Sequence, residues 1–227
     1  MASKSSSVSV SLPKLAGLID HALLHPTLTD ADLAAGCALA RDLGVAAVCV
    51  PSYAMAETAE ALRGGASEID VVVNVAKVLG GAWHYVEHEI DAVNRLVSAA
   101  GGALKVIFEN DYLDDHHIVR LCEICTRLRV AFVKTSTGFG FVKQPDGSLA
   151  SRGATLRHVE LMRLHAGPDV QIKASGGIRN LDQILQLMSM GVTRVGASAT
   201  QAIMDEARAR GIGEEEMLVE VGHVKGQ

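Results

Sequence analysis

Short runs of apolar and β-branched residues recur along the chain, separated by longer amphipathic stretches, and this alternation constrains the fold more than any other feature. Each run is continuously apolar, which is typical of parallel strands that are covered on both faces. The pattern predicts seven strands, at residues 15–20, 45–50, 69–75, 104–108, 131–135, 170–174 and 193–196.

The stretches between the strands have the spacing of amphipathic helices. Thr29 is a suitable N-cap for the first of them, because Asp32 stands three positions later and can complete a capping box. Further helices are predicted over residues 52–62, 83–99, 114–128, 155–165, 180–190 and 199–209.

Repeated βα units form a parallel sheet, which is either doubly wound or closed into a barrel. Charged residues lie within or at the ends of several strands, and they can converge only if the sheet curls, so a TIM-type (β/α) barrel is favoured. Such a barrel needs eight strands. Because only seven are recognisable, one βα unit is predicted to be missing or replaced. The charged strand residues are Asp20, Asp70, Glu109, Lys134 and Lys173.

The domain organisation and composition are simple. A serine-rich lead-in over residues 1–11 is predicted to be disordered, and residues 12–227 are predicted to form a single α/β barrel domain. A net charge of −5 gives no electrostatic support for a nucleic-acid partner. No apolar run reaches the ~18 residues of a membrane span. The four cysteines show no disulfide framework, so reduced thiols in a cytoplasmic protein are expected.

Two lysines in apolar strands indicate chemistry. Desolvation of Lys134 favours its neutral amine, which is a nucleophile for carbonyl groups and can form a Schiff base. The alternative is a lysine that reaches solvent from a strand end. A charged Lys173 beside Lys134 would favour the neutral amine of Lys134 further, by charge repulsion. Asp70 also lies in an apolar strand, where it needs a cationic partner such as either lysine. It would then transfer protons or form a structural ion pair.

Glycine-containing turns follow several of these strands. Gly176 and Gly177 can direct backbone N–H groups at a phosphate at the start of a helix. Ser198, in a small-residue turn after the last strand, could complete the phosphate site. Ordinary strand-to-helix turns would explain the same residues.

Eight motifs, in this order, resemble those of the deoxyribose-phosphate aldolases, class I enzymes that use a lysine Schiff base. The resemblance extends from about residue 15 to about residue 201. The motifs are 19–24 (IDHALL), 47–50 (AVCV), 68–74 (EIDVVVN), 105–109 (KVIFE), 134–140 (KTSTGFG), 153–155 (GAT), 173–178 (KASGGI) and 196–198 (GAS).

The resemblance implies reversible cleavage of 2-deoxy-D-ribose 5-phosphate into acetaldehyde and D-glyceraldehyde 3-phosphate, without a metal or organic cofactor. It implies that Lys134 forms the Schiff base, that Lys173 tunes it and that Asp70 shuttles protons through water. It further implies that Asp20 supports Lys173 and that Cys49 lies near the substrate. The residues implied for phosphate binding are Gly138, Gly176, Gly177 and Ser198.

The chain departs from the family in three places. The family has a further strand with a Gly-Phe-Pro signature, and its helix, before the 68–74 motif. Residues 141–152 are longer than the family's short glycine connection, with a turn predicted at Pro145-Asp146-Gly147, so this loop is a candidate lid. Ala199 replaces a second serine at the phosphate site.

Two other functions stay open: a related lysine aldolase for a different aldehyde and, because of the missing unit, a non-catalytic, degenerate barrel. A barrel with open strand edges is also prone to association. A homo-oligomer, with a dimer favoured, or a substitute element that covers the gap is therefore expected.

Overall fold

The computed structural model describes residues 6–25, 27–49 and 67–222, which form two compact units. The first unit contains the described residues up to 49 together with those from Ile178 onwards, and the second contains residues 67–177. The helix predicted over residues 52–62 lies outside the described residues, as does the stretch in which the family has its further strand.

The secondary structure follows the predicted alternation. In chain order the elements are β1 (Ser7–Val10), α1 (Leu12–Leu18), β2 (Ile19–Ala22), α2 (Asp30–Leu43), β3 (Ala47–Cys49), β4 (Glu68–Val72), α3 (Val75–Leu79), α4 (Trp83–Ala99), β5 (Ala103–Ile107), α5 (Asp115–Arg127), β6 (Phe132–Lys134), β7 (Val142–Lys143), β8 (Leu149–Ala150), α6 (Leu156–His165), β9 (Gln171–Ser175), α7 (Leu181–Ser189), β10 (Arg194–Ala197), α8 (Thr200–Ala209) and β11 (Met217–Glu220).

In the first unit, three parallel strands lie in the order β3, β2, β10. Strands β1 and β11 form a separate antiparallel pair. Helix α2 has the predicted start, because Thr29 caps it in a complete capping box with Asp32. Its C-cap is Gly44 in the left-handed conformation.

Two predictions for the N-terminal region are wrong. Ser7–Val10 forms strand β1, paired with β11, instead of continuing a disordered lead-in. The strand predicted over residues 15–20 begins only at Ile19, because its first four residues belong to helix α1. Ser11 starts that helix by accepting a hydrogen bond from the backbone N–H of Lys14, and a serine N-cap stabilises a helix by about 1 kcal/mol.

In the second unit, four parallel strands lie in the order β9, β6, β5, β4. Their apolar side chains pack against the buried sides of α4, α5 and α6, which include Val86, Ile90, Ile118, Leu121 and Met162. The described residues thus contain seven parallel strands in the two units, as predicted. The loop 141–152 contains the short antiparallel pair of β7 and β8, and its tip is the predicted turn around Gly147.

Within the described residues, none of the helices combines the length and apolar character that crossing a membrane requires.

Candidate active site

The register of the second unit's sheet brings the charged strand residues to one face. Lys134 on β6 is the register partner of Lys173 on β9, and Ile107 on β5 is its partner on the other side. Asp70 on β4 is paired in the same way with Lys105. Partners in parallel strands point to the same face, as do residues two apart in one strand. Because Lys105 and Ile107 are two apart, all four charged side chains share one face.

The carboxylate of Asp70 contacts the amines of three lysines. Its Oδ2 atom accepts hydrogen bonds from Lys134 Nζ at 2.7 Å and from Lys173 Nζ at 2.8 Å. Its Oδ1 atom lies 3.2 Å from Lys105 Nζ. The structure therefore brings together the three residues for which catalytic roles were predicted, and it adds a fourth.

Burial makes these interactions strong. Lys134, Lys173 and Lys105 are 4%, 0% and 1% exposed. Burial by itself would raise the pKa of Asp70, but the positive charges of the three lysines outweigh it and hold that pKa well below its usual value. Asp70 is therefore ionised at neutral pH, and it can hold an ammonium group in place.

Lys105 is the residue that sequence reasoning missed. The family resemblance includes Lys105 in a motif but implies no role for it. The signal that identified Lys134, a lysine in the middle of an apolar strand, is equally present at Lys105. The fully buried amine contacts Asp70 and also Glu68, whose Oε2 atom is 2.5 Å from Lys105 Nζ.

The segment after Lys134 is held in place by Glu109. This buried residue adopts a left-handed backbone conformation at the end of β5, with φ of 48°. Its carboxylate accepts hydrogen bonds from the backbone N–H of Thr137, at 3.1 Å, and from the Thr137 hydroxyl. The turn that leads from the nucleophile candidate to Gly138 is therefore fixed by a side chain from the neighbouring strand.

Three glycine turns meet beside this segment. Gly176 has φ of 96°, and a Cβ atom added to it would lie 2.8 Å from Gly153 Cα and 3.3 Å from Gly138 Cα. The N–H of Ala154 donates to the Gly176 carbonyl at 3.1 Å. Gly138 and Gly176 thus come together in the second unit, with Gly177 next in the chain. Gly153, whose motif had no assigned role, is the third member of the cluster.

Replacing Gly176 by alanine is expected to raise KM for a phosphorylated substrate roughly tenfold. An added Cβ atom would force the turns at Gly153 and Gly176 apart and displace backbone N–H groups from the phosphate. Loss of one hydrogen bond to a charged group costs about 1.5 kcal/mol, and about 1.4 kcal/mol corresponds to a factor of ten. Steady-state kinetics will measure the change. Gly147→Ala is the matched control, because Gly147 has a similar φ of 85° but nothing within 4 Å of an added Cβ. An unchanged KM in folded Gly176→Ala protein would argue against a phosphate site here.

Asp111 anchors the end of the β7–β8 hairpin loop. Its carboxylate accepts hydrogen bonds from the N–H of Arg152 at 2.7 Å, from the N–H of Gly153 at 3.1 Å and from Ser151 Oγ at 3.2 Å. The hairpin therefore leads from the turn at Gly138 to the cluster around Gly153. Its role as a lid stays a prediction.

Three predicted site residues belong to the first unit. Asp20 is fully buried on β2, with Arg194 Nε 3.7 Å from its Oδ1 atom. Cys49 is half-buried at the end of β3, and Ser198 is exposed directly after β10. Their predicted roles, support of Lys173, proximity to the substrate and phosphate binding, stay predictions.

Known proteins similar to this chain agree on one family. No protein-family model matches the chain. The deoxyribose-phosphate aldolase of Rhodopirellula baltica is 42% identical over 222 residues, which cover 84% of this chain and 88% of that protein. The enzyme of the same name from Caldanaerobacter subterraneus is 34% identical over 235 residues, with 89% and 97% covered.

Solved structures agree with the sequence comparison. A crystal structure from Coccidioides immitis, assigned to the deoxyribose-phosphate aldolases, matches with a TM-score of 0.76 and 28% identity. The match covers 88% of each chain. The TIM-type barrel fold predicted from the βα alternation is therefore confirmed.

The alignment lengths also bear on the missing unit. Coverage of 84% corresponds to about 191 of this chain's 227 residues, so the 222 positions aligned with the Rhodopirellula protein leave about 31 without a residue in this chain. A barrel of ~250 residues has about 31 residues in each of its eight βα units. The total gap thus has the size of one unit.

With relatives above 30% identity covering most of both chains, this chain belongs to the deoxyribose-phosphate aldolase family.

Proposed function

We propose that the protein cleaves 2-deoxy-D-ribose 5-phosphate reversibly through a Schiff base on Lys134. The observation that carries this proposal is the pair of hydrogen bonds to Asp70 Oδ2, from Lys134 at 2.7 Å and from Lys173 at 2.8 Å. Two buried amines that share one carboxylate oxygen can exchange a proton through it, and one can act as the nucleophile while the other keeps the charge.

The nucleophile adds to the aldehyde carbon of the open-chain sugar. The Lys134 Nζ lone pair attacks C1, and loss of water from the carbinolamine gives an iminium ion. A base then removes the proton of the C3 hydroxyl, the C2–C3 bond breaks, and its electron pair neutralises the iminium as an enamine. D-glyceraldehyde 3-phosphate leaves at this stage. Protonation of the enamine carbon and hydrolysis release acetaldehyde and restore the amine.

Asp70 and Lys173 supply the proton transfers. Because the pKa of Asp70 lies well below its usual value, its carboxylate is ionised and can accept hydrogen bonds that orient a water molecule or an amine during proton transfer. Lys173 can return a proton to the carbinolamine oxygen or to the enamine carbon. General acid–base catalysis of this kind contributes typically ~10²–10⁴-fold to the rate.

The glycine turns would hold the substrate's phosphate. Gly138 and Gly176 approach each other closely, and glycines at such positions leave room for backbone N–H groups to face an anion. Ser198 and Gly177 would add further donors. Asp20 would support Lys173, and Cys49 would lie near the substrate.

A coupled assay tests this function. The protein is expected to release both acetaldehyde and D-glyceraldehyde 3-phosphate from 2-deoxy-D-ribose 5-phosphate. A panel that includes unphosphorylated 2-deoxyribose separates this activity from that of a lysine aldolase for another aldehyde. Absence of retro-aldol activity on the whole panel, in folded protein, would instead favour a non-catalytic barrel.

We also propose a homo-oligomer, with a dimer favoured, and a cytoplasmic location. In the described part of the second unit, the sheet ends at β4, and Val72 of that strand is 41% exposed. Sheet edges of this kind are usually covered or paired. Light scattering will measure the mass in solution, and a monomer would argue against the oligomer.

The cysteines support the proposed cytoplasmic location. All four are free thiols, which suits a reducing compartment.

A further inference from the structure

The β7–β8 hairpin loop, residues 141–152, joins two of the three glycines that meet beside the nucleophile segment. Gly138 precedes the loop, and Gly153 follows it directly. The third glycine, Gly176, packs against both, because a Cβ atom added to it would lie 2.8 Å from Gly153 Cα and 3.3 Å from Gly138 Cα. The position of Gly153 against Gly176 therefore depends on how the loop ends.

The turn at Gly176 is held from two sides. On one side, the N–H of Ser175 donates to Thr135 Oγ1 at 3.1 Å, which ties the end of β9 to the end of β6. On the other side, the N–H of Ala154 donates to the Gly176 carbonyl at 3.1 Å. The first contact belongs to the sheet, whereas the second comes from the residue that follows Gly153. The second contact therefore depends on the loop.

Asp111 fixes the end of the loop that leads into Gly153. Its Oδ1 atom accepts a hydrogen bond from the N–H of Arg152 at 2.7 Å, and its Oδ2 atom accepts from the N–H of Gly153 at 3.1 Å and from Ser151 Oγ at 3.2 Å. Hydrogen bonds to an ionised group are stronger than those between neutral groups. Because Asp111 lies in the short helical turn Asn110–Tyr112 after β5, the anchor comes from outside the loop.

The other end of the loop has separate contacts. Tyr112 donates a hydrogen bond from its hydroxyl to the Phe141 carbonyl at 3.4 Å. Gly140 packs closely against Glu109, whose Oε1 atom would lie 2.8 Å from an added Cβ. Loss of the Asp111 carboxylate therefore frees only the end that leads to the glycine cluster. Because closing a longer loop costs more conformational entropy, that end needs an anchor.

We propose that Asp111 sets the affinity for a phosphorylated substrate by holding Gly153 and the N–H of Ala154 against Gly176. This inference rests on the function proposed above, in which the glycine turns bind the substrate's phosphate. Asp111 acts through the backbone and not on the reacting atoms, so it is a positioning residue. Neither the motifs nor the family resemblance implies a role for it.

The test compares the kinetics of Asp111→Ala for 2-deoxy-D-ribose 5-phosphate and for 2-deoxy-D-ribose. Loss of the anchor is expected to raise KM for the phosphorylated sugar roughly tenfold, which corresponds to about 1.4 kcal/mol, while kcat stays within about threefold of wild type. The unphosphorylated sugar lacks the group that the glycine turns bind. Its kcat/KM is therefore expected to stay within about twofold of the wild-type value.

Asp146→Ala is the matched control. Asp146 lies in the same loop, and its carboxylate also accepts a hydrogen bond from a backbone N–H, that of Ser148 at 2.9 Å, but at the tip of the hairpin. Its substitution removes the same charge and is expected to leave KM for both sugars unchanged. An equal rise of KM in Asp146→Ala would overturn the proposal in favour of a role for the whole loop. Equal losses for both sugars in Asp111→Ala would also overturn it, because general damage to the fold has that effect.

Asp111→Asn separates anchoring from charge. Asparagine keeps the size of the side chain but places an NH₂ group opposite one of the backbone N–H donors. A rise in KM for the phosphorylated sugar is therefore expected here too, and it decides alone if Asp111→Ala does not fold. Removal of a negative charge without loss of anchoring would instead lower KM for an anionic substrate. A lower KM in either variant, or an unchanged KM in every variant that folds, would overturn the proposal.

The same assays separate this proposal from the proposed function. Wild-type protein that cleaves the phosphorylated sugar, with folded Asp111 variants that keep its KM, would contradict only the role of Asp111. Wild-type protein that cleaves neither sugar and forms no borohydride-trapped adduct with acetaldehyde on Lys134 would contradict the Schiff-base function, and the role of Asp111 would fall with it.

Discussion

Replacing Lys134 by methionine is expected to lower kcat for cleavage of 2-deoxy-D-ribose 5-phosphate by about four orders of magnitude or more. Methionine keeps the length and apolar stem of the side chain but cannot form an iminium ion, so the covalent route is lost. Loss of a nucleophile in other covalent enzymes has effects of roughly this size or larger. The fold is expected to persist, because Asp70 keeps Lys173 at 2.8 Å and Lys105 at 3.2 Å as cationic partners.

The measurement is kcat in a coupled assay for D-glyceraldehyde 3-phosphate, together with circular dichroism to establish that the variant is folded. The exposed lysine variant Lys77→Met serves as control and is expected to keep kcat within about threefold of wild type, since surface changes have small effects. A folded Lys134→Met protein with more than about a tenth of the wild-type kcat would contradict the assignment of the nucleophile.

Replacing Asp70 by asparagine is expected to lower both stability and activity. The substitution removes the carboxylate that contacts three buried amines, and breaking a buried ion pair in this way costs about 3–5 kcal/mol. The loss of proton transfer is expected to lower kcat by roughly 10²–10⁴-fold. Urea unfolding and steady-state kinetics at pH 7 will measure the two effects. An asparagine variant as stable and as active as wild type would show that the lysines do not depend on Asp70.

The pH dependence of stability tests the same carboxylate. The pKa of Asp70 in the folded protein lies well below its usual value, which is ~3.9 in an unfolded chain. Its contribution to the free energy of unfolding is therefore present above about pH 4 and is lost as the pH falls below that. Wild type is expected to lose more stability than Asp70→Asn between pH 5 and pH 3. Equal losses in the two proteins would contradict the ionised state of Asp70.

The helices of this fold were predictable because amphipathic spacing is a local property. The helix predicted over residues 83–99 matches α4, Trp83–Ala99, at both ends. The same local signal failed at residues 15–18. There the apolar run predicts a strand, whereas Ser11 caps a short helix that buries Leu15 and Leu18. A short apolar run does not distinguish a strand from a buried helical turn.

The candidate site was predictable in its residue types but not in its connections. An apolar strand with a lysine or a carboxylate needs a partner, and this argument identified Lys134, Lys173 and Asp70. Which partner each finds depends on strand order and register, which are properties of the sheet. Pairing of Asp70 with Lys105 therefore emerged only in the structure. The antiparallel pair in the loop 141–152 was also missed, because β7 and β8 have two residues each and only their turn has a clear signal.

The most direct test of the central claim is reductive trapping of the wild-type protein with acetaldehyde and borohydride, followed by peptide mass spectrometry. The account predicts a single ethyl adduct, on the peptide that contains Lys134, and no adduct in Lys134→Met. An adduct on Lys173 or Lys105 instead would reassign the nucleophile within the same cluster. Folded wild-type protein without any adduct would contradict the Schiff-base mechanism.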